Sequence, residues 1–182
     1  MRLAVLNAAD DLLVEQGFAA TTIEGIATRA GVAKQTIYRW WKSKVDILLD
    51  ALADDAREAL AWAEPAGTPS DDLTAHLHRV GAFFGEPAGQ VFQALLGHAQ
   101  LDEDTAVALR EGFLLEQRER DAAGLGALVE RHVGEAPDRE TVDRLVDLLL
   151  GPIHYRILVL GRPVDDALVE ATARAVLEEA AG

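Results

Sequence analysis

The 182-residue chain contains no cysteine, a single methionine and only three lysines. Without thiols it can build neither a disulfide framework nor a cysteine-ligated metal site. Aromatic residues make up only 5% of the chain. No apolar run approaches the ~20 residues that span a bilayer. The opening residues, MRLAVLNAADD, turn acidic too soon for a secretory signal. These absences are read as a soluble, cytoplasmic protein with no membrane partner. No GxSxG, P-loop or GxGxxG pattern occurs. Of the five histidines, His76 and His78 are two apart and point to different faces of a helix, and His98, His132 and His154 lie far apart without HExxH spacing. The expectation is therefore no metal, no cofactor and no enzymatic activity.

What is present begins with charge. Thirty-one acids against 17 bases give a formal net charge of −14, which by itself argues against nucleic acid. The distribution reverses that argument. Residues 1–50 carry six bases and six acids, so the whole excess lies in the remaining 132 residues. Between Arg29 and Lys44 there are five bases and no acid, and all three lysines fall in that window. A basic island in an acidic chain is a local electrostatic footprint.

Helical spacing dominates and sustained alternation is absent, which predicts an all-α fold of about nine helices. The first runs from about Leu3 to Gln16 and stops at Gly17. Thr21, with Glu24 three residues on, has capping-box form and opens a second helix to about Ala30. Gly31-Val32 make a turn, and a short helix follows from about Lys34 to Trp40. Ser43 with Asp46 opens a fourth. The Pro/Gly segment Glu64 to Ser70 interrupts it, Gly85-Glu86-Pro87 breaks the chain again, Asp104 is taken to cap a long helix, and Asp138 another. The stretch from Val142 to Leu160 is apolar on most sides and needs cover on most sides. Pro152 should kink it. Asp165 to Ala180 forms the last helix. The division expected is a helix-turn-helix domain over 1–46 and a helical effector-binding and dimerisation domain over 47–182.

Residues 21–48, TTIEGIATRAGVAKQTIYRWWKSKVDIL, have the spacing of a helix-turn-helix. Ile23, Ile26, Ala27, Val32 and Ile37 are candidate core residues. Lys34, Gln35, Thr36, Tyr38 and Arg39 lie on the other face, and side chains of this reach suit base edges in a major groove. Tyr38 and Lys44 suit phosphate oxygens.

Here the chain resembles the TetR family. The residues that carry the resemblance are Thr21-Thr22, Ile26-Ala27, Ala30-Gly31-Val32, Tyr38, Trp41 and Ser43-Lys44, within the first ~60 residues. The resemblance implies phosphate contacts from Thr22, Tyr38 and Lys44 and base contacts from Lys34, Gln35 and Thr36, with Arg39 and Trp40 adjacent. Three features depart from the family pattern. Ala33 stands where a Ser or Thr usually caps the recognition helix, Trp41 replaces the usual Phe, and Arg2 is the only base before the first helix. Gly151-Pro152-Ile153-His154-Tyr155-Arg156 and Leu160-Gly161-Arg162-Pro163 resemble the penultimate helix of one TetR subgroup. Members dimerise through their last two helices, which implies an interface here of Leu145, Leu149, Ile153, Ile157, Leu168 and Val176.

A small-molecule pocket would draw on Trp62, Phe83, Phe84, Phe92, Leu96, Phe113, Gln117 and Tyr155, aromatics with a few polar groups. The expected function is a homodimeric repressor that binds a palindromic double-stranded DNA operator and is released by a small molecule. An activator, or a regulator with no ligand, fits the sequence equally. A helical enzyme or interaction module without DNA binding is opposed by the basic island and the absent catalytic motifs.

Overall fold

The computed structural model describes all 182 residues. It is 79% helical, with no strand. The helices are α1 (Arg2–Ala20), α2 (Ile23–Ala30), α3 (Lys34–Tyr38), α4 (Lys44–Ala59), α5 (Pro69–Phe83), α6 (Pro87–Ala99), α7 (Glu103–Leu109), α8 (Leu115–Val133), α9 (Arg139–His154) and α10 (Asp166–Ala181). A π-type turn, Arg110–Leu114, joins α7 to α8 without a break, and a second, Tyr155–Val159, extends α9. Counting α7 and α8 as one rod leaves nine continuous helices, the number expected from sequence.

Packing divides the chain into two compact units, 1–58 with 83–115, and 59–82 with 116–182. Neither coincides with 1–46 or 47–182. In the first unit α1 packs on α2 and on α6, and α2 packs on α3. Val5, Leu6, Ala9, Leu12, Ile26, Ile37, Ile47, Leu48 and Leu52 are buried there. In the second unit α9 packs on α10 through Leu145, Val146, Leu149, Val169, Ala173 and Val176, all buried.

The helix ends follow local chemistry, with two corrections. Thr22, rather than Thr21, caps α2, because its hydroxyl oxygen accepts from the Gly25 amide at 3.1 Å. Thr21 is buried and donates its hydroxyl to the Gly17 carbonyl at 2.9 Å. Asp102, rather than Asp104, caps α7, accepting from the Thr105 amide at 2.9 Å. Asp138 caps α9 as expected, and Asp165 caps α10. The first helix breaks at Gly17, where φ is 79°, and adds one turn beyond it. Pro152 sits inside α9, and the backbone widens into the π-type turn directly after it.

Asp10, on α1, is half-buried, and its Oδ1 has no hydrogen-bond partner. Burial pushes its carboxyl up to about 7 from an ordinary 3.8, with smaller upward pushes from Asp55 and Asp11. A raised acid favours the fold while protonated, below about pH 4, and that contribution is lost as pH climbs through 7. Asp10→Asn keeps the shape without the charge. It is expected to add about 1–2 kcal/mol at pH 8, discounted for partial exposure, and nothing at pH 3.5. Urea melts at the two pH values check this, and an equal effect at both would contradict it.

Candidate nucleic-acid interface

The site begins with the turn between α2 and α3. Gly31 closes α2 in the left-handed region at φ 67°. That region strains any side chain with a Cβ, which accounts for glycine here. The Val32 amide reaches back to the Ala27 carbonyl at 3.0 Å. This reversal directs Ile37 into the core, where it is fully buried with Ile26. Lys34, Gln35, Tyr38 and Arg39 are left exposed on α3, and Thr36 half-buried. Ala33 occupies the cap position of α3 and supplies no side-chain bond. Trp41 is buried and donates its indole N–H to Asp50 at 3.1 Å, whereas Trp40 is 64% exposed. Thr22 stands exposed at the N-terminus of α2. Its hydroxyl proton is not used by the cap and suits an anion held at a helix start.

The basic island is smaller in the fold than in the sequence. Arg29 forms a two-pronged pair with Glu15, at 2.8 and 2.6 Å. Lys34 pairs with Glu24. The Lys44 ammonium donates to the Phe18 carbonyl at 2.5 Å and the Thr21 carbonyl at 3.0 Å, and lies 4.1 Å from the centre of the Phe18 ring. Burial draws its pKa below the ordinary lysine value. Lys44 therefore braces the end of α1, and two of its three protons are committed to that task. Arg39, which lies over the Trp40 ring, and Lys42 have no carboxylate partner. Lys42 is exposed and is not among the contacts expected from sequence. Its place in the acid-free window was the available signal.

Glu24 was read only as a helix-capping residue. In the fold its carboxylate pairs with Lys34, and that bond lowers the Glu24 pKa. Glu24→Gln is expected to raise DNA affinity three- to tenfold at low salt and to steepen the salt slope by about 1. Titrations at 50 and 200 mM salt check this. Unchanged affinity would mean that Lys34 leaves Glu24 at no cost.

The family is decided by comparison with known proteins. Residues 5–51 match the model of "Bacterial regulatory proteins, tetR family", and residues 63–176 match "Tetracyclin repressor-like, C-terminal domain". The chain belongs to the TetR family of transcriptional regulators. It is 38% identical to the uncharacterised HTH-type transcriptional regulator YdeS of Bacillus subtilis, over 91% of this chain and 82% of that protein. It is 26% identical to the DNA-binding transcriptional repressor TetR of Mycobacteroides abscessus, over 91% and 86%. Among solved structures it is similar to the TetR family transcription regulator SCO0332, with a TM-score of 0.79 and 34% identity over 98% of this chain and 97% of that one. The helix-turn-helix formed by α2 and α3 lies within the residues that match the tetR-family model. No helix of the chain is long and apolar enough to cross a membrane.

The other residues expected at functional sites are placed unevenly. Phe83, Phe84, Phe92 and Phe113 are all buried in the first unit, with successive ring centres 5.6, 5.8 and 5.7 Å apart. They fill one another's space, and Leu96 is half-buried in the same unit. In the second unit Trp62 and Gln117 converge on Asp121, each donating to its Oδ1 at 3.2 Å. Burial pushes the Asp121 carboxyl up to about 6, against those two hydrogen bonds. Tyr155 is 58% exposed.

The dimer residues need correction. Leu145, Leu149, Ile153 and Val176 are each 0% exposed within this one chain, so a second copy cannot touch them. Ile157 and Leu168 are half-buried. The exposed apolar side chains along the extension of α9 are Tyr155, Val159 and Leu160, and Leu148 of α9 is half-buried.

Proposed function

We propose that this regulator is a homodimeric repressor that binds a palindromic operator and leaves it when a small molecule occupies the second unit. The exposed face of α3 carries this reading, because Gln35, Thr36 and Arg39 offer the donors and acceptors that discriminate base pairs in a major groove. Tyr38, Thr22 and Lys42 supply phosphate contacts that hold register, and Lys34, once released from Glu24, reaches a base edge. Trp40 adds an exposed ring beside Arg39.

The dimer is proposed through the open surface of Tyr155, Val159 and Leu160, with Leu148, Ile157 and Leu168 at its margin. Two copies place two α3 helices on successive half-sites, which explains a palindrome. The ligand is assigned to the neighbourhood of Trp62 and Gln117, where polar groups are buried together. Coupling between ligand and DNA is expected on the order of 1–3 kcal/mol, with α4, which precedes Trp62 in the chain, as the lever. Repression also agrees with the repressor among the relatives.

The test is a reporter fused to the promoter upstream of the regulator's own gene, measured with the gene present and deleted. Higher expression on deletion supports repression. Lower expression would make the protein an activator.

A further inference from the structure

The most unusual polar arrangement in the chain lies away from DNA, in the second unit. His76 is 0% exposed and Asp121 4% exposed, with Gln117 buried beside them. The group receiving their attention is a tryptophan from outside any helix. Trp62 lies three residues beyond α4, and residues 61 and 63–68 around it are exposed. Its indole stacks on the His76 ring at 3.8 Å between centres, with 20° between planes, and donates its N–H to Asp121 at 3.2 Å. On its other contact the indole presses against Gly124 of α8. A Cβ there would fall 2.2 Å from the ring. Helix α8 thus carries the least favourable non-proline residue for a helix interior at the place where a flat ring lies.

The polar groups outnumber what the indole can satisfy. Arg79 lies 3.4 Å from Nδ1 of His76, and an arginine can only donate. The His76 proton is therefore on Nε2, which has no partner. Gln117 donates to Asp121 and leaves its Oε1 unpartnered. Buried polar atoms without partners are disfavoured and rare in native proteins. A cavity of about 270 Å³ adjoins the indole, and its lining includes Trp62 itself, Gly124 and Leu128 together with the charged Asp72, Arg79 and Arg131.

We infer that Trp62 is a built-in occupant of the effector seat, and that the seat takes a flat nitrogen heterocycle that displaces the indole by reproducing it: stacked on His76, against Gly124, with a ring N–H donated to Asp121. Further polar groups on such a ring meet His76 Nε2 and Gln117 Oε1, and its substituents extend into the adjoining cavity. Displacement frees the segment that follows α4. The inference rests on the proposed ligand-responsive function and names the chemistry of its site.

The test uses free indole, titrated by calorimetry into the full-length protein. Trp62→Ala is expected to bind indole saturably and at least tenfold more tightly than wild type, since the internal competitor is gone. Adding Asp121→Ala to that variant should cost at least tenfold. No saturable binding to Trp62→Ala, or an affinity equal to wild type, would overturn the inference. Should Trp62→Ala fail to fold by circular dichroism, Trp62→Phe keeps a ring without the N–H and should bind indole at least threefold more tightly than wild type; equal affinity overturns the proposal. Calorimetry reads the seat alone, and operator release reads repression alone. Release by other ligands with no indole binding would sink the seat only. Indole binding with no ligand ever releasing DNA would sink the release mechanism and leave the seat standing.

Discussion

Lys44→Ala is expected to lower stability by about 2 kcal/mol and to abolish binding to every DNA sequence alike. The side chain closes the end of α1 through two carbonyls and the face of Phe18. Hydrogen bonds from a charged donor contribute roughly 1.5–3 kcal/mol where they are partly shielded, and a cation at a helix C-terminus adds to them. Removing the ammonium leaves the carbonyls of Phe18 and Thr21 without that donor, directly before the cap that starts α2. The reading head then loses the angle between its helices. Urea melts together with titrations on specific and scrambled duplexes check both effects. A variant that melts like wild type yet fails to bind DNA would show that Lys44 acts on phosphate directly and is not a brace.

Val159→Asp is expected to convert the proposed dimer of 19.6 kDa chains to a monomer and to weaken operator binding by 100-fold or more. Val159 is 66% exposed in a single chain, so the change removes little internal contact and the fold should hold. In the proposed dimer the carboxylate would be buried without a partner, which costs several kcal/mol. A monomer holds one half-site and loses the gain from a linked second contact. Sedimentation and circular dichroism separate the outcomes. A variant that stays dimeric would place the interface elsewhere.

Much of the reading head was legible in the sequence for local reasons. Gly31 needs only its neighbours to make a turn, and Ile26 and Ile37 mark the buried faces by spacing alone. The misplaced caps show the limit of that logic. Thr21 and Thr22 carry the same hydroxyl, and the run Asp102-Glu103-Asp104 offers a carboxylate at each step, so only backbone geometry selects one. The two π-type turns add a residue to a helical turn without altering composition. Partners were beyond reach for another reason. Lys44 bonds to Phe18, 26 residues away, and Trp62 to Asp121, 59 residues away, and no spacing announces such pairs. The dimer residues failed on a related point. An apolar stretch shows that cover is needed but not which cover, and Leu145, Leu149 and Ile153 are covered within the same chain, where α10 packs on α9.

The central claim is that the exposed face of α3 reads DNA sequence. The most direct measurement is a fluorescence-anisotropy titration of the full-length protein against the palindromic DNA upstream of its own gene and a scrambled duplex, at two salt concentrations, for wild type and Gln35→Ala. The account predicts specific binding near ~10⁻⁸ M that weakens steeply with salt, and a loss of base preference in Gln35→Ala with nonspecific binding retained. Equal, weak binding to both duplexes, or a Gln35→Ala variant that discriminates as well as wild type, would contradict it.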